Sequence, residues 1–134
     1  MIDRPLKIFI VVLLGAFATT SYAAPTAEDV IAAFKRVGLE AENPTPMKPK
    51  NYGLAPFVCK GVRFLIPSLG EDNGGRVLAC PNAEDRDAIA GYYERLAKKS
   101  AAFFSWVFVK GNTVVQINGD LDEETAKKYE RAIP

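Results

Sequence analysis

The sequence predicts an α+β fold: an antiparallel four-stranded sheet, built from two hairpins and covered by three helices in the order α-β-β-α-β-β-α. Three observations lead to this prediction. The segment 103–118 has two runs of strand-forming residues around a turn dipeptide, and an earlier pair of apolar runs carries one cysteine in each run. Amphipathic segments with capping residues lie before, between and after these pairs.

The hairpin in residues 103–118 organises the rest of the chain. Gly111-Asn112 can form a two-residue turn, which places Trp106 opposite Ile117. One face then carries three aromatic and two aliphatic side chains, namely Phe104, Trp106, Phe108, Val115 and Ile117. Because such a face is favourable only when it is packed, we expect this hairpin at the centre of the sheet, with Trp106 largely buried.

The other two strands are expected on either side of the glycine-rich stretch 67–75. If Cys59 faces Cys80, the hairpin is centred within that stretch and the two cysteines are close enough for a disulfide. The same register places Arg63 opposite Arg76. Like charges in facing positions are unfavourable, so we expect either a bulge that separates the two arginines or an anion between them.

Each of the three helices is expected to begin at a capping residue. Thr26 can cap a helix over residues 27–37, Asn82 can cap the second helix, and Asp120 or Asp122 can cap the last. Acidic residues follow each cap, where the helix dipole favours them.

Between the first helix and the first predicted hairpin, residues 39–56 contain four prolines. Proline removes a backbone donor and restrains the residue before it. We therefore predict an extended connection that crosses the domain.

Residues 1–23 are predicted to be a signal peptide. Arg4 and Lys7 precede an apolar run of 11 residues, which is too short to cross a bilayer as a helix. Ser21 and Ala23 are small residues at the two positions that a signal peptidase inspects. Residues 24–134 are then expected to form a single domain that is periplasmic or secreted, with no membrane anchor after cleavage.

The charge of the mature domain gives no reason to bind a polyanion. Cleavage removes Asp3, Arg4 and Lys7, so 15 of the 17 basic residues and 15 of the 16 acidic residues remain. A neutral domain has no electrostatic bias towards nucleic acid or anionic lipid. We expect an unknown protein or small molecule as the partner.

The chain has two cysteines and no histidine. In an exported protein the cysteines normally oxidise, and a bridge between Cys59 and Cys80 would close a loop of about 22 residues and add about 3 kcal/mol of stability. The missing histidine removes the commonest general base and metal ligand. No catalytic residue, metal ligand or cofactor is predicted.

The glycine-rich loop and its flanking arginines form the most suggestive polar site. Carboxylate and amide oxygens suit a Ca²⁺ ion, although the spacing does not match the twelve-residue calcium loop, and Asp-Asn-Gly-Gly is also ordinary turn chemistry. The candidate ligand or ion residues are Glu71, Asp72, Asn73, Arg63 and Arg76.

Two further groups could carry a function. Tyrosines could form an aromatic surface for a sugar or peptide, although helix-spaced aromatics also suit a core; these are Tyr52, Tyr92 and Tyr93. An acidic cluster could supply paired carboxylates for hydrolysis, although its place at a helix start already explains it; it comprises Asp120, Asp122, Glu123 and Glu124.

Two segments, RFLIPSLGEDNGGRV (63–77) and SAAFFSWVFVKGNTVVQINGDLDEETAKKYE (100–130), resemble a family of small exported bacterial proteins and lipoproteins that are loosely labelled stress proteins. The resemblance implies an exported protein related to envelope stress, but it implies no catalytic residue or ligand. This chain lacks the lipidated cysteine of the lipoprotein members.

The functional hypothesis is an exported, non-enzymatic small binding or interaction domain. The alternative is an exported carboxylate-dependent hydrolase or metal-dependent enzyme that uses the glycine-rich loop or the last helix. An enzyme is expected to gather two or more of these carboxylates in one concave site.

Overall fold

The computed structural model describes Val12, residues 14–18 and residues 23–134. The predicted signal peptide, residues 1–23, falls mostly outside this part of the chain. Within the described part, no helix has both the length and the apolar character that a membrane span requires.

The domain is built on one antiparallel sheet of five strands, so the prediction of four strands is wrong by one. The strands are β1 (Glu42–Pro46), β2 (Lys60–Leu65), β3 (Gly74–Ala79), β4 (Ser105–Lys110) and β5 (Thr113–Asn118). They are arranged in the order β1-β2-β3-β5-β4. The four strands of the two predicted hairpins are β2 to β5.

The additional strand, β1, lies in the proline-rich connection that was expected to be only extended. It is an edge strand, in which Thr45 pairs with Arg63 and Pro46 pairs with Val62. An edge strand bonds to a neighbour on one side only, so it tolerates prolines, whose missing N–H groups can face away from the sheet. The prolines therefore shape this strand without preventing it.

Three helices flank the sheet: α1 (Ala27–Arg36), α2 (Ala83–Lys99) and α3 (Glu123–Ala132). The predicted caps are confirmed, since the side chains of Thr26, Asn82 and Asp122 each accept a bond from a backbone N–H in the first turn. For the last helix, the capping residue is Asp122 and not Asp120.

Helices cover both faces of the sheet. The larger core lies between one face and the helices α1 and α3, and its largest fully buried side chains include Phe34, Phe64, Ile117 and Tyr129. A smaller core lies between the other face and α2, and contains Leu78, Ile89, Tyr93 and Val114. The sheet is thus the middle of three layers.

Both predicted registers are confirmed. In the first hairpin Val62 pairs with Val77, and Cys59 and Cys80 form a disulfide with Cα atoms 4.4 Å apart. In the second hairpin Trp106 pairs with Ile117. Gly111 has a φ of 56° at the turn, a value that glycine reaches without strain.

The second hairpin does not lie at the centre of the sheet. Only β5 is interior, whereas β4 forms an edge. Trp106 on β4 is half-buried, and its indole Nε1 donates a hydrogen bond of 2.8 Å to the carbonyl of Leu121. Phe104, expected on the buried face, lies just before β4 and is 42% exposed.

Candidate functional site

One end of the sheet face beneath α2 forms an open groove. Helix α2 packs on Leu78 and Val114. Because alternate residues of a strand share a face, Arg63, Arg76 and Gln116 lie on this same face one step further along the strands. These three residues are part of a groove with a volume of about 630 Å³, which is within the range of small-molecule sites.

The floor of the groove contains the predicted pair of arginines. Arg63 on β2 directly faces Arg76 on β3, and the pairing between these strands is continuous, so no bulge separates them. Within the described part of the chain, neither guanidinium has a carboxylate oxygen within 4.0 Å. The strand register therefore places two positively charged residues opposite each other, and no described carboxylate forms an ion pair with either.

The guanidinium group of Arg76 has a hydrogen-bond partner at Nη1 and none at Nε among the described residues. Its Nη1 donates a hydrogen bond of 2.8 Å to Oε1 of Gln116, a side chain that is only 8% exposed. Its Nε is buried, and no described protein atom accepts its proton. A buried donor without a partner costs about 1–3 kcal/mol, so an acceptor from outside the chain would satisfy it.

The three candidate tyrosines all line the groove, but they do not form an exposed surface. Tyr52 and Tyr93 are 5% and 6% exposed, and Tyr92 is half-buried. The hydroxyl of Tyr52 donates to the carbonyl of Cys59 at 2.6 Å, which ties this ring to the disulfide. Burial raises the pKa of Tyr93, and the nearby positive charge of Arg76 partly opposes this increase. Tyr93 therefore remains a neutral phenol beside Arg76.

The glycine-rich loop forms one rim of the groove. Asp72 and Asn73 line the groove, whereas Glu71 is exposed outside it. The side-chain amide of Asn73 donates to the carbonyl of Leu69 at 2.9 Å, and its Oδ1 accepts from Asn118 at 3.3 Å, so this side chain closes the loop. Among the described residues, no three side chains of Cys, Asp or Glu are placed to hold a metal ion together.

The acidic cluster at the start of α3 is mostly structural. Asp122 caps the helix, where bonds from the backbone N–H and hydroxyl of Thr125 hold the pKa of its carboxyl below the usual value. Glu123 and Glu124 form ion pairs along the helix. Their Oε1 atoms lie 2.9 Å and 3.9 Å from the Nζ atoms of Lys127 and Lys128. Only Asp120 lines the groove.

The sequence reasoning missed several polar residues of the groove, among them Lys50 and, on β5, Gln116 and Asn118. Gln116 faces Arg76 across the pair of strands β3 and β5. Its alternation with Val115 and Ile117 was a signal that it lies on the other face of its strand. However, the sequence did not show that β5 neighbours β3, so this residue could not be assigned to the arginine pair.

Comparisons with known proteins do not assign this site. No protein-family model matches the chain, and no curated protein or solved structure matches it. The function must therefore be inferred from the groove itself.

Proposed function

We propose that this protein is an exported, non-enzymatic binding domain whose groove takes an anionic group on Arg63 and Arg76. The observation that carries the proposal is the unpartnered buried Nε of Arg76, together with the facing strand positions of Arg63 and Arg76, neither of which has a carboxylate partner among the described residues. A carboxylate or phosphate between the arginines would separate the two positive charges and accept the free N–H.

The chemistry of the two side chains suits this role. A guanidinium group presents its donors in a rigid fork that matches two oxygens of a carboxylate or phosphate, and such charge-assisted bonds are about twice as strong as neutral ones. Gln116 restrains Arg76 before the ligand arrives, which lowers the entropy lost on binding. The neighbouring Tyr93 adds a neutral wall beside the anion.

Export is part of the same proposal. It rests on the charged and apolar leader with its cleavage pattern in the sequence, and the disulfide between Cys59 and Cys80 is consistent with an oxidising compartment. The resemblance to small exported stress proteins points in the same direction, towards a role in the bacterial envelope.

The experiment is an anion titration of the mature protein, residues 24–134, by calorimetry or thermal unfolding at constant ionic strength. Acetate and phosphate should raise the unfolding temperature in a saturable manner, beyond the effect of chloride, and Arg76→Gln should abolish this increase. Arg131→Gln, which removes an exposed arginine at the end of α3, is the matched control and should respond like the wild type. A response that equals that of chloride, or that persists in Arg76→Gln, contradicts the proposal.

One observation favours the alternative, a carboxylate-dependent hydrolase: Asp72 and Asp120 line the same groove. The two candidates are separated by assays with chromogenic acetate, phosphate and glycoside substrates. Turnover that is lost in Asp72→Asn or Asp120→Asn would favour the hydrolase. Anion binding without turnover would favour the binding domain.

A further inference from the structure

The two edges of the sheet differ in the features that prevent an edge strand from pairing with another chain. Edge strand β1 contains Pro44 and Pro46, and its register with β2 shifts between Glu42 and Thr45. Prolines and irregular register are two such protective features. Edge strand β4, SWVFVK, has neither of them, because it contains no proline and all six of its residues pair in continuous register with β5.

Every second residue of β4 directs its backbone groups out of the sheet. In a hairpin with a two-residue turn, the residue before the turn bonds to the opposite strand, as does every second residue before it. In β4 these are the even-numbered residues, so the N–H and C=O groups of Ser105, Val107 and Val109 point outward. Within the described chain, β4 has only β5 as a neighbour, and no loop or side-chain hydrogen bond uses these outward groups. Val109 is 46% exposed, so solvent reaches this edge.

The outward groups match those of a second copy of β4. In an antiparallel pair, outward-pointing residues must face one another, and the most of them do so when Val107 faces Val107 of the second copy. Ser105 of each copy then faces Val109 of the other. Each of these three facing pairs exchanges two hydrogen bonds, about six in all. Sliding one strand by two residues leaves only two facing pairs within the strands.

The side chains in this register are also compatible. Trp106 packs against Phe104 and Phe108 of its own chain, and it would face Phe108 of the second copy, which continues the row of aromatic rings from one copy into the other. Cross-strand aromatic pairs of this kind are favourable.

The charge of β4 favours the antiparallel direction. Lys110 is the only charged residue of the strand. When Val107 faces Val107, the two lysines lie at opposite ends of the strand pair, about 20 Å apart at about 3.3 Å per residue. Salt largely screens a repulsion over that distance. A parallel pair in register would instead place the two lysines side by side.

The area of the paired edges sets the expected affinity. A strand of this length spans about 20 Å and a sheet is about 10 Å thick, so two paired edges bury about 400 Å² in total. Exposed Phe104 and Val109 add to this area. Since stable interfaces bury about 1,200–2,000 Å², the association should be weak and reversible, with a dissociation constant of about 10–500 µM.

We infer that two copies of the mature protein associate through β4 and join their two sheets into one continuous sheet. The two-fold axis passes between the two Val107 residues and is perpendicular to the sheet, so both copies of the groove lie on the same face. This inference does not depend on the anion site, because it rests on the backbone and side chains of β4.

Sedimentation equilibrium of residues 24–134, from about 5 µM to 1 mM, tests the association. The average mass of the wild type should rise from that of a monomer towards twice that value. Val107→Lys and Val107→Glu should each weaken the association about tenfold or more, because two like charges then face each other. An equimolar mixture of the two variants should restore it, because Lys then faces Glu. Val37→Lys changes a valine that is 63% exposed at the end of α1, and this matched control should associate like the wild type.

Amide hydrogen exchange of the wild type tests the strand pairing without any substitution. The N–H groups of Ser105, Val107 and Val109 should exchange rapidly at 5 µM and become protected at 1 mM. The N–H groups of Trp106 and Phe108, which already bond to β5, should be protected at both concentrations.

Each alternative result overturns the inference in a recognisable way. A protein that is monomeric at 1 mM overturns the association, and an association that Val107→Lys leaves unchanged overturns its place on β4. If the folded variants do not associate when mixed, the register is wrong. If the outward N–H groups are protected only by an added strand-forming peptide, acetyl-Lys-Thr-Val-Thr-Val-Lys-amide, and not by higher protein concentration, the partner is a different chain.

Discussion

Compared with the wild type, Arg63→Gln is expected to be more stable without an anion and less stable with one. Arg63 faces Arg76, and no hydrogen bond or ion pair within the described chain involves its side chain. Removing this charge therefore relieves a repulsion and breaks no polar contact. The relief should raise the free energy of unfolding by about 0.2–1 kcal/mol, the range for directly opposed side-chain pairs in a sheet.

An anion reverses the order of stability of the wild type and Arg63→Gln. A ligand at a concentration 100 times its dissociation constant stabilises the folded state by about 2.7 kcal/mol. The wild type should gain this amount with phosphate, whereas Arg63→Gln, which has lost one of the two guanidinium groups, should gain less at the same concentration. The wild type then becomes the more stable protein.

Urea unfolding followed by the fluorescence of Trp106 measures both effects, since urea, unlike guanidinium chloride, does not screen charge. Arg63→Lys is the matched control, because it keeps the charge and most of the side-chain length and should not be stabilised. Added sodium chloride should reduce the difference between wild type and Arg63→Gln. If Arg63→Gln is less stable than both other proteins without an anion, or gains as much as the wild type with phosphate, the reasoning is wrong.

Two further predictions concern the stability of the fold. Reduction of the disulfide, or replacement of Cys59 and Cys80 by Ser, should lower the free energy of unfolding by about 3 kcal/mol, because the bridge spans 21 positions; an unchanged urea midpoint would contradict its structural role. Burial raises the pKa values of Tyr52, Tyr93 and Tyr129 above 10.0, so the folded protein keeps phenolic protons that the unfolded chain loses. Stability should be insensitive to these tyrosines below about pH 9 and should fall above pH 10, by up to about 1.4 kcal/mol per pH unit for each. Urea unfolding between pH 8 and pH 11 measures the slope, which Tyr129→Phe should make shallower; an equal slope in that variant would contradict the assignment.

Part of the candidate site could be predicted from the sequence. The cysteines set the register of the first hairpin, and that register alone is sufficient to place Arg63 opposite Arg76. The glycine-rich loop and the tyrosines were also identified as candidates, but their meeting in one groove was not. The loop and the tyrosines share a groove because α2 covers only one end of the sheet face. No local sequence pattern predicts where a helix stops covering a sheet.

The sequence by itself determined the three helices with their caps, the two hairpins and their registers. These features depend on residues close together in the chain: a capping side chain bonds two or three positions ahead, and a tight turn aligns the strands of the second hairpin. The strands of the first hairpin are aligned by two cysteines 21 positions apart. Only the tertiary structure decided that β5 pairs with β3, that β4 is an edge, and that Glu42–Pro46 adds a fifth strand. Pairing between strands that are distant in the chain depends on how the two cores pack. An alternating sequence pattern is compatible with several neighbouring strands. For this reason Gln116 became the partner of Arg76 only once the strands were assembled.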